Sequence, residues 1–238
     1  MGVYEMKKLF LSLLLSIGYL SANSIYATFD VVADKKASIA FSSSGIIDTV
    51  FVDIGSVVQK GDTLAMLDNR DTKALLNVYQ TTLKYAKKDF QRQEKIRNII
   101  DQAKFDGYAN KYESAKAQVA YQKTLLDKTI LKAPFEGVII SKEIESGDVV
   151  SGQVVKTAFK IQSTNKRKLL VHFDQKYHGI VKVGDVFTYT VDGDETKYTG
   201  NISKIYPFVD TKTRKIEAEV LTKDILVGLF GEGTIYSK

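Results

Sequence analysis

Few residues in this chain combine the types and spacing that chemistry needs. His172, Asp174 and His178 offer two imidazoles and a carboxylate close together, the ligand set a divalent metal would take. The ordinary reading of such residues is one histidine on a strand and one on an exposed helix, and no metal is expected. There is no Gly-x-Ser-x-Gly elbow and no His-Glu-x-x-His helix, so a hydrolase lacks its parts. Cysteine is absent, which removes disulfides, thiolate metal sites, cysteine nucleophiles and the cysteine that would carry a lipid anchor. No phosphate-binding loop occurs, so the chain brings no energy source. A protein without catalysis, cofactor or metal is the expectation.

The elements around these residues are more informative. The 238 residues suffice for one ordinary domain or several small modules, and 44% hydrophobic with 26% charged residues fits a folded, water-exposed protein. Residues 1–22 read as a secretory signal peptide: Lys7 and Lys8 form the positive region, Leu9 to Leu20 the apolar one, and cleavage after Ala22 follows small residues. Leu20 departs from the A-x-A pattern, and an uncleaved N-terminal anchor is the alternative. The apolar stretch is about 12 residues where a spanning helix needs roughly 20. The net charge of +6 is mild and its basic residues are dispersed, so nucleic acid is not expected as a partner.

Two segments resemble each other. Gly45-Ile46-Ile47, Val50-Phe51-Val52, Gly55-Ser56-Val57-Val58 and Gly61-Asp62 are echoed by Gly137-Val138-Ile139-Ile140, Gly147-Asp148-Val149-Val150 and Gly152-Gln153. Short β-branched runs punctuated by glycine predict strands joined by tight turns, and two such units predict the halves of one flattened β-sandwich. Between them the period changes. Leu76, Tyr79, Leu83, Ala86 and Phe90, then Phe105, Tyr108, Tyr112, Ala115, Val119, Gln122 and Leu126, alternate by three and four. That heptad spacing predicts two antiparallel helices zipped along one seam, with residues 71–98 forming a helix of about 40 Å. A polar connection is expected at Asp101-Gln102-Ala103-Lys104. Residues 71–127 carry eleven Lys/Arg and seven Asp/Glu, as a two-helix element with wet outer faces should. From Lys168 onward, runs such as Val186 to Val191, Tyr198 to Ile205 and Ile216 to Leu221 predict a small β-barrel, joined by a strand from Ile25 to Val32.

In this order the features resemble the HlyD/RND-type periplasmic adaptor, or membrane fusion protein, family of tripartite efflux pumps. Gly45 to Leu64 is similar to its first lipoyl-like half. Thr129 to Ile139, with Ala133-Pro134-Phe135-Glu136-Gly137, is similar to the entry of the second. Lys168 to Gly184 resembles the opening of the barrel, and Tyr206 to Asp210 with Thr213-Arg214 resembles a late barrel motif. The implied fold is mainly β with an α-helical coiled-coil hairpin: a split lipoyl-like β-sandwich, an inserted αα-hairpin and a C-terminal small β-barrel. The implied boundaries are 23–34 for a strand joining the barrel, 35–70 and 128–166 for the lipoyl-like halves, 71–127 for the hairpin and 167–238 for the barrel. Turns at Gly55, Gly61, Pro134, Gly137 and Gly147 shape the halves.

The resemblance also implies a function and a site. The function is the periplasmic adaptor subunit of an RND-type pump, associated with the inner membrane through an inner-membrane transporter, reaching an outer-membrane channel protein, and self-associating as a hexameric ring. Fuller members carry a membrane-proximal domain after the barrel, and here it is expected to be absent or vestigial. The implied contact with the channel is the hairpin tip. Family members carry an arginine, a leucine four residues on and a serine seven further; the matching positions are Arg92, Ile96 and Ala103, so the serine is lost. Asp101 is the substitute helix cap or partner ligand, and Ile99 joins Ile96 as apolar contact. An ABC-type export adaptor is the main alternative. A lipoyl or biotinyl carrier has the same halves and is faintly echoed by Asp71-Thr72-Lys73-Ala74, but a heptad insertion stands where a carrier has a tight hairpin. An envelope scaffold without a pump would be distinguished by the absence of a neighbouring transporter gene.

Overall fold

The computed structural model describes residues 23–237, so the expected signal peptide and its anchor alternative lie outside the described residues. The chain divides into two compact units, one of residues 35–164 and one made of the segments before and after it. Among the described residues no helix is long and apolar enough to cross a membrane.

In the first unit, eight short strands form two four-stranded sheets. They are β2 (Lys36–Ile39), β3 (Gly45–Val50), β4 (Val57–Val58), β5 (Thr63–Leu67), β6 (Ile130–Lys132), β7 (Gly137–Lys142), β8 (Val149–Val150) and β9 (Phe159–Gln162). The sheet orders are β2-β9-β7-β4 and β6-β5-β3-β8, so each sheet takes strands from both halves. The exchange is reciprocal. Gly55 N–H donates to Ile139 O at 2.8 Å and Gly147 N–H donates to Ile47 O at 2.8 Å; Ile139 N–H returns to Ser56 O and Ile47 N–H to Asp148 O. Gly55 and Gly147 hold φ of +87° and +92°, a region that a side chain would strain. The repeat weakens at its third glycine. Gly61 makes a positive-φ turn straight into β5, whereas Gly152 packs against Ser42 and precedes a loop before β9. Between the sheets Ile47, Leu64, Leu67, Ile139, Phe159 and Ile161 are fully buried, each contributing roughly 1.5–3 kcal/mol through the area it removes from water.

Between β5 and β6 run α1 (Arg70–Glu94) and α2 (Gln102–Asp127). At 25 residues α1 is about 37 Å long. Leu76, Phe105, Val119 and Gln122 are the buried helix residues, and Tyr79, Leu83, Ala86, Phe90, Tyr108, Tyr112, Ala115 and Leu126 are half-buried, which is the heptad seam. Leu75, Val78, Tyr85 and Tyr121 stay exposed because one partner helix covers only one stripe. The connection differs from expectation. α1 stops at Glu94, and Asp101 accepts from Lys104 N–H, so residues 102–104 already belong to α2 and the link is the isoleucine-bearing segment Lys95 to Asp101.

The second unit is a closed six-stranded barrel, β1-β10-β13-β12-β11-β14, all antiparallel. Its strands are β1 (Asn23–Ala33), β10 (Arg167–Asp174), β11 (Val186–Val191), β12 (Tyr198–Val209), β13 (Lys215–Thr222) and β14 (Phe230–Ser237). Alternation along β1 buries Ile25, Ala27, Phe29, Val31 and Ala33 and leaves the residues between them less covered. Phe29, Phe187 and Tyr189 pack edge-on and stacked in the interior, 5.1 to 5.9 Å apart. They fill the space left by Gly231 and Gly233; a Cβ on Gly233 would meet Thr188 O at 2.4 Å and the Phe187 ring at 2.7 Å.

Candidate functional site

The hairpin apex gathers all five tip residues named from sequence. Arg92 lies in the last turn of α1, Ile96 and Ile99 on the link, Asp101 at the cap of α2 and Ala103 in its first turn. Asp101 Oδ1 accepts from Lys104 N–H at 3.1 Å, which supplies a cap that Ala103 lacks the side chain to give. Ile99 is 87% exposed and Ile96 45%, although both are large and apolar. Nothing in the hairpin covers them, because the seam ends below them in an aromatic cluster. Phe90 stacks on Tyr112 at 5.4 Å and tilts against Phe105 at 5.6 Å.

The charged groups divide in two. Arg92 is ion-paired along its own helix to Asp89, with 72% of its side chain exposed, so part of its donor fork is occupied by a neighbour. Arg97 lies over the Phe105 ring at 4.9 Å. That contact ties the link to α2. Sequence reasoning passed over Arg97, since its ring partner is across the turn and no local spacing signals the pair. Lys95 and Lys104 are interleaved with Glu94, Asp101 and Asp106, so the apex is an apolar point within a ring of mixed charge.

The turns of the sandwich halves sit at the rims of the sheets. Gly61 N–H donates to Ala133 O and Ala133 N–H to Asp62 O, which seats Pro134 at the entry of the second half. Gly137 is required by close approach, since a Cβ there would meet Gln162 O at 2.2 Å. These positions shape the scaffold and do not join the apex.

The metal candidate set is not gathered. His172 Nε2 is 3.3 Å from Asp30 Oδ2 and its Nδ1 is 3.8 Å from Glu217, while Asp174 caps a short 3-10 turn by accepting from Lys176 N–H, and His178 follows that turn. Among the described residues no group of three His, Cys, Asp or Glu is placed to hold a metal ion.

Comparison with known proteins places this architecture. The CzcB-like, barrel-sandwich hybrid domain family matches residues 35–162. The cobalt-zinc-cadmium resistance protein CzcB of Cupriavidus metallidurans is 24% identical over 205 residues, covering 79% of this chain and 39% of CzcB. The chain thus spans about two fifths of the length of that curated relative. Among solved structures, a MacA-MexA chimera carrying the Pseudomonas aeruginosa MexA α-hairpin domain superposes with a TM-score of 0.82 at 22% identity, covering 91% of this chain and 80% of the chimera. MacA from Actinobacillus actinomycetemcomitans gives 0.74 at 20% identity, covering 91% of this chain and 79% of its own. These likenesses show the fold: mainly β, a barrel-sandwich hybrid with an α-hairpin, and a closed barrel.

Proposed function

From the premise that this chain belongs to the CzcB-like barrel-sandwich hybrid domain family, we propose that it is a periplasmic membrane fusion protein, the adaptor of a tripartite efflux pump. It catalyses nothing itself. It links an inner-membrane transporter, read as RND-type, to an outer-membrane channel, and the transporter supplies the energy. The barrel and sandwich units contact their counterparts in neighbouring copies, giving a hexameric ring from which the hairpins extend. The observation that supports this reading best is the apex. A hairpin with one seam and about 37 Å of reach ends in exposed Ile96 and Ile99 beside Arg92, where a wet tip without a partner would carry polar residues. The name of the Cupriavidus relative puts divalent transition-metal cations first among the substrates to test.

The test is efflux by cells carrying Arg92→Asp, Ile96→Asp or Ile99→Asp. Each sets a negative charge where contact needs a donor or an apolar group. Loss of resistance at normal expression and unchanged helicity is expected. Full efflux by all three would remove the apex from the contact. Co-purification of the native envelope complex identifies the transporter; an ABC-type partner there would replace the RND reading.

A further inference from the structure

The inward-facing register of β10 runs Arg167, Leu169, Val171, Phe173. The last three are buried in the barrel core, and the first is an arginine. Its neighbours across the ladders are Ala33 in β1 and Thr222 in β13, both on the inward register of their own strands. Strand alternation therefore directs a guanidinium to the inside of the barrel at one end.

That guanidinium is only partly satisfied. Nη1 donates to Ile225 O at 2.5 Å, whereas Nε is buried without a hydrogen-bond partner. Among the described residues it forms no ion pair. The residue as a whole is half-buried, so the cost falls on the buried Nε, and the guanidinium retains donors for an anion. The surroundings have the shape of a ligand site. A cavity of about 560 Å³ opens here, lined by Arg167, Thr222, Tyr189, Tyr198 and Leu221, with Lys166 and Lys223 at its rim and Asp34 as its one carboxylate. Such a volume lies within the range of small-molecule pockets. The Tyr189 and Tyr198 rings stack at 5.6 Å, and the Tyr189 hydroxyl is 3.3 Å from Thr222 Oγ1.

We propose that this mouth of the barrel binds a small organic anion, a carboxylate or sulfonate on an apolar body. Arg167 takes the charged head through its fork of donors, the rim lysines add attraction, and the body lies against Tyr198 and Leu221. The site is separate from the hairpin apex and stands whether or not the apex contacts a channel.

The test uses the full chain, with naphthalene-2-sulfonate as the anion and 2-naphthylmethanol as its neutral counterpart, followed by amide chemical shifts. The sulfonate should perturb Arg167, Tyr189 and Thr222 and bind about tenfold or more tightly than the alcohol, the scale of one hydrogen bond to a charged group. Arg167→Met should erase that preference and Arg167→Lys should restore part of it. If Arg167→Met does not fold, the wild-type comparison decides alone. Equal binding of the two probes, shifts mapping elsewhere, an unchanged preference in folded Arg167→Met, or no perturbation at millimolar concentration would each overturn the proposal and leave Arg167 as a plug that holds Ile225.

Discussion

Asn69 Nδ2 donates to Thr129 Oγ1 at 3.1 Å, joining the two feet of the hairpin across 60 residues of sequence. Both side chains are buried. Thr129 Oγ1 in turn donates to Leu126 O at 2.7 Å, and Thr129 O accepts from Leu67 N–H at 2.9 Å, so the end of α2 is fastened to the end of β5. Asn69 stands at the N-cap of α1 but its side chain does not cap that helix, because it is committed to Thr129.

Breaking this clamp should loosen the hairpin at its base. Thr129→Val leaves a buried amide without an acceptor and is expected to cost about 1–3 kcal/mol, with Asn69→Ala at the lower end of that range. The double variant should cost less than the sum, since the second change removes the group that the first left stranded. Thermal melts of the four proteins measure the coupling; strict additivity would show that the bond carries no energy.

The seam makes predictions of opposite sign: one substitution should stabilise it and two should weaken it. Gln122 is 4% exposed and its Oε1 has no partner, so Gln122→Leu should raise stability by about 1–2 kcal/mol. Val119 is buried and Leu83 only half so. Val119→Lys should therefore lose a few kcal/mol and much helical signal, while a lysine at position 83 can reach water and should cost less. Circular dichroism melts that rank the two lysine variants the other way would misplace the seam.

Glu219 sits between Lys168 and Tyr206, each 2.6 Å from its Oε1. Burial works to raise its pKa, but the hydrogen bonds from Lys168 and Tyr206 outweigh this and hold it below the ordinary value. Its contribution to stability is thus present above the usual glutamate range and lost as pH falls through the lowered folded value. Tyr206 moves the other way: its hydrogen bond to Glu219, then burial, push the phenol up to about 12. That contribution is complete below about pH 10, the unfolded value, and is lost as pH rises toward 12. Tyr206→Phe should remove one phenol from the late phase of tyrosinate absorbance, to which Tyr26 and Tyr198 also contribute, and move acid unfolding to higher pH. An unchanged acid midpoint would separate Tyr206 from Glu219.

Alone, the chain should be a monomer or a weak oligomer, with the ring closing only when its partners are present. Light scattering across a concentration series checks the first part, and the stoichiometry of the purified envelope complex checks the second. A fixed two-fold dimer as the sole species in that complex would contradict the ring.

Patterns with short sequence range were legible without coordinates. The three-four alternation from Leu76 to Leu126 marks the seam because a helix repeats its face within one turn, and the Gly55 and Gly147 turns are visible because positive φ selects glycine locally. The tip residues come from the family resemblance; the periodicity gives only a link between the two seams, and sets it at Asp101 to Lys104 where the structure has Lys95 to Asp101. The internal wiring of the tip was not legible, since the Arg97–Phe105 contact depends on how the link folds back over α2.

Sequence by itself therefore determined the element types, carried by neighbours a few positions apart, and the repeat with the hairpin between its halves, carried by the match of Gly45 to Gly61 with Gly137 to Gly152. Tertiary structure alone decided that β3 pairs with β8 and β4 with β7, so that each sheet draws on both halves. It alone turned Arg167 into the end of the barrel and set Asn69 against Thr129. Strands Val57–Val58 and Val149–Val150 carry identical residues, and nothing within them distinguishes their partners. Reciprocal bonds from Gly55 to Ile139 and from Gly147 to Ile47 distinguish them, because pairing is chosen by which closure buries both sets of apolar faces at once.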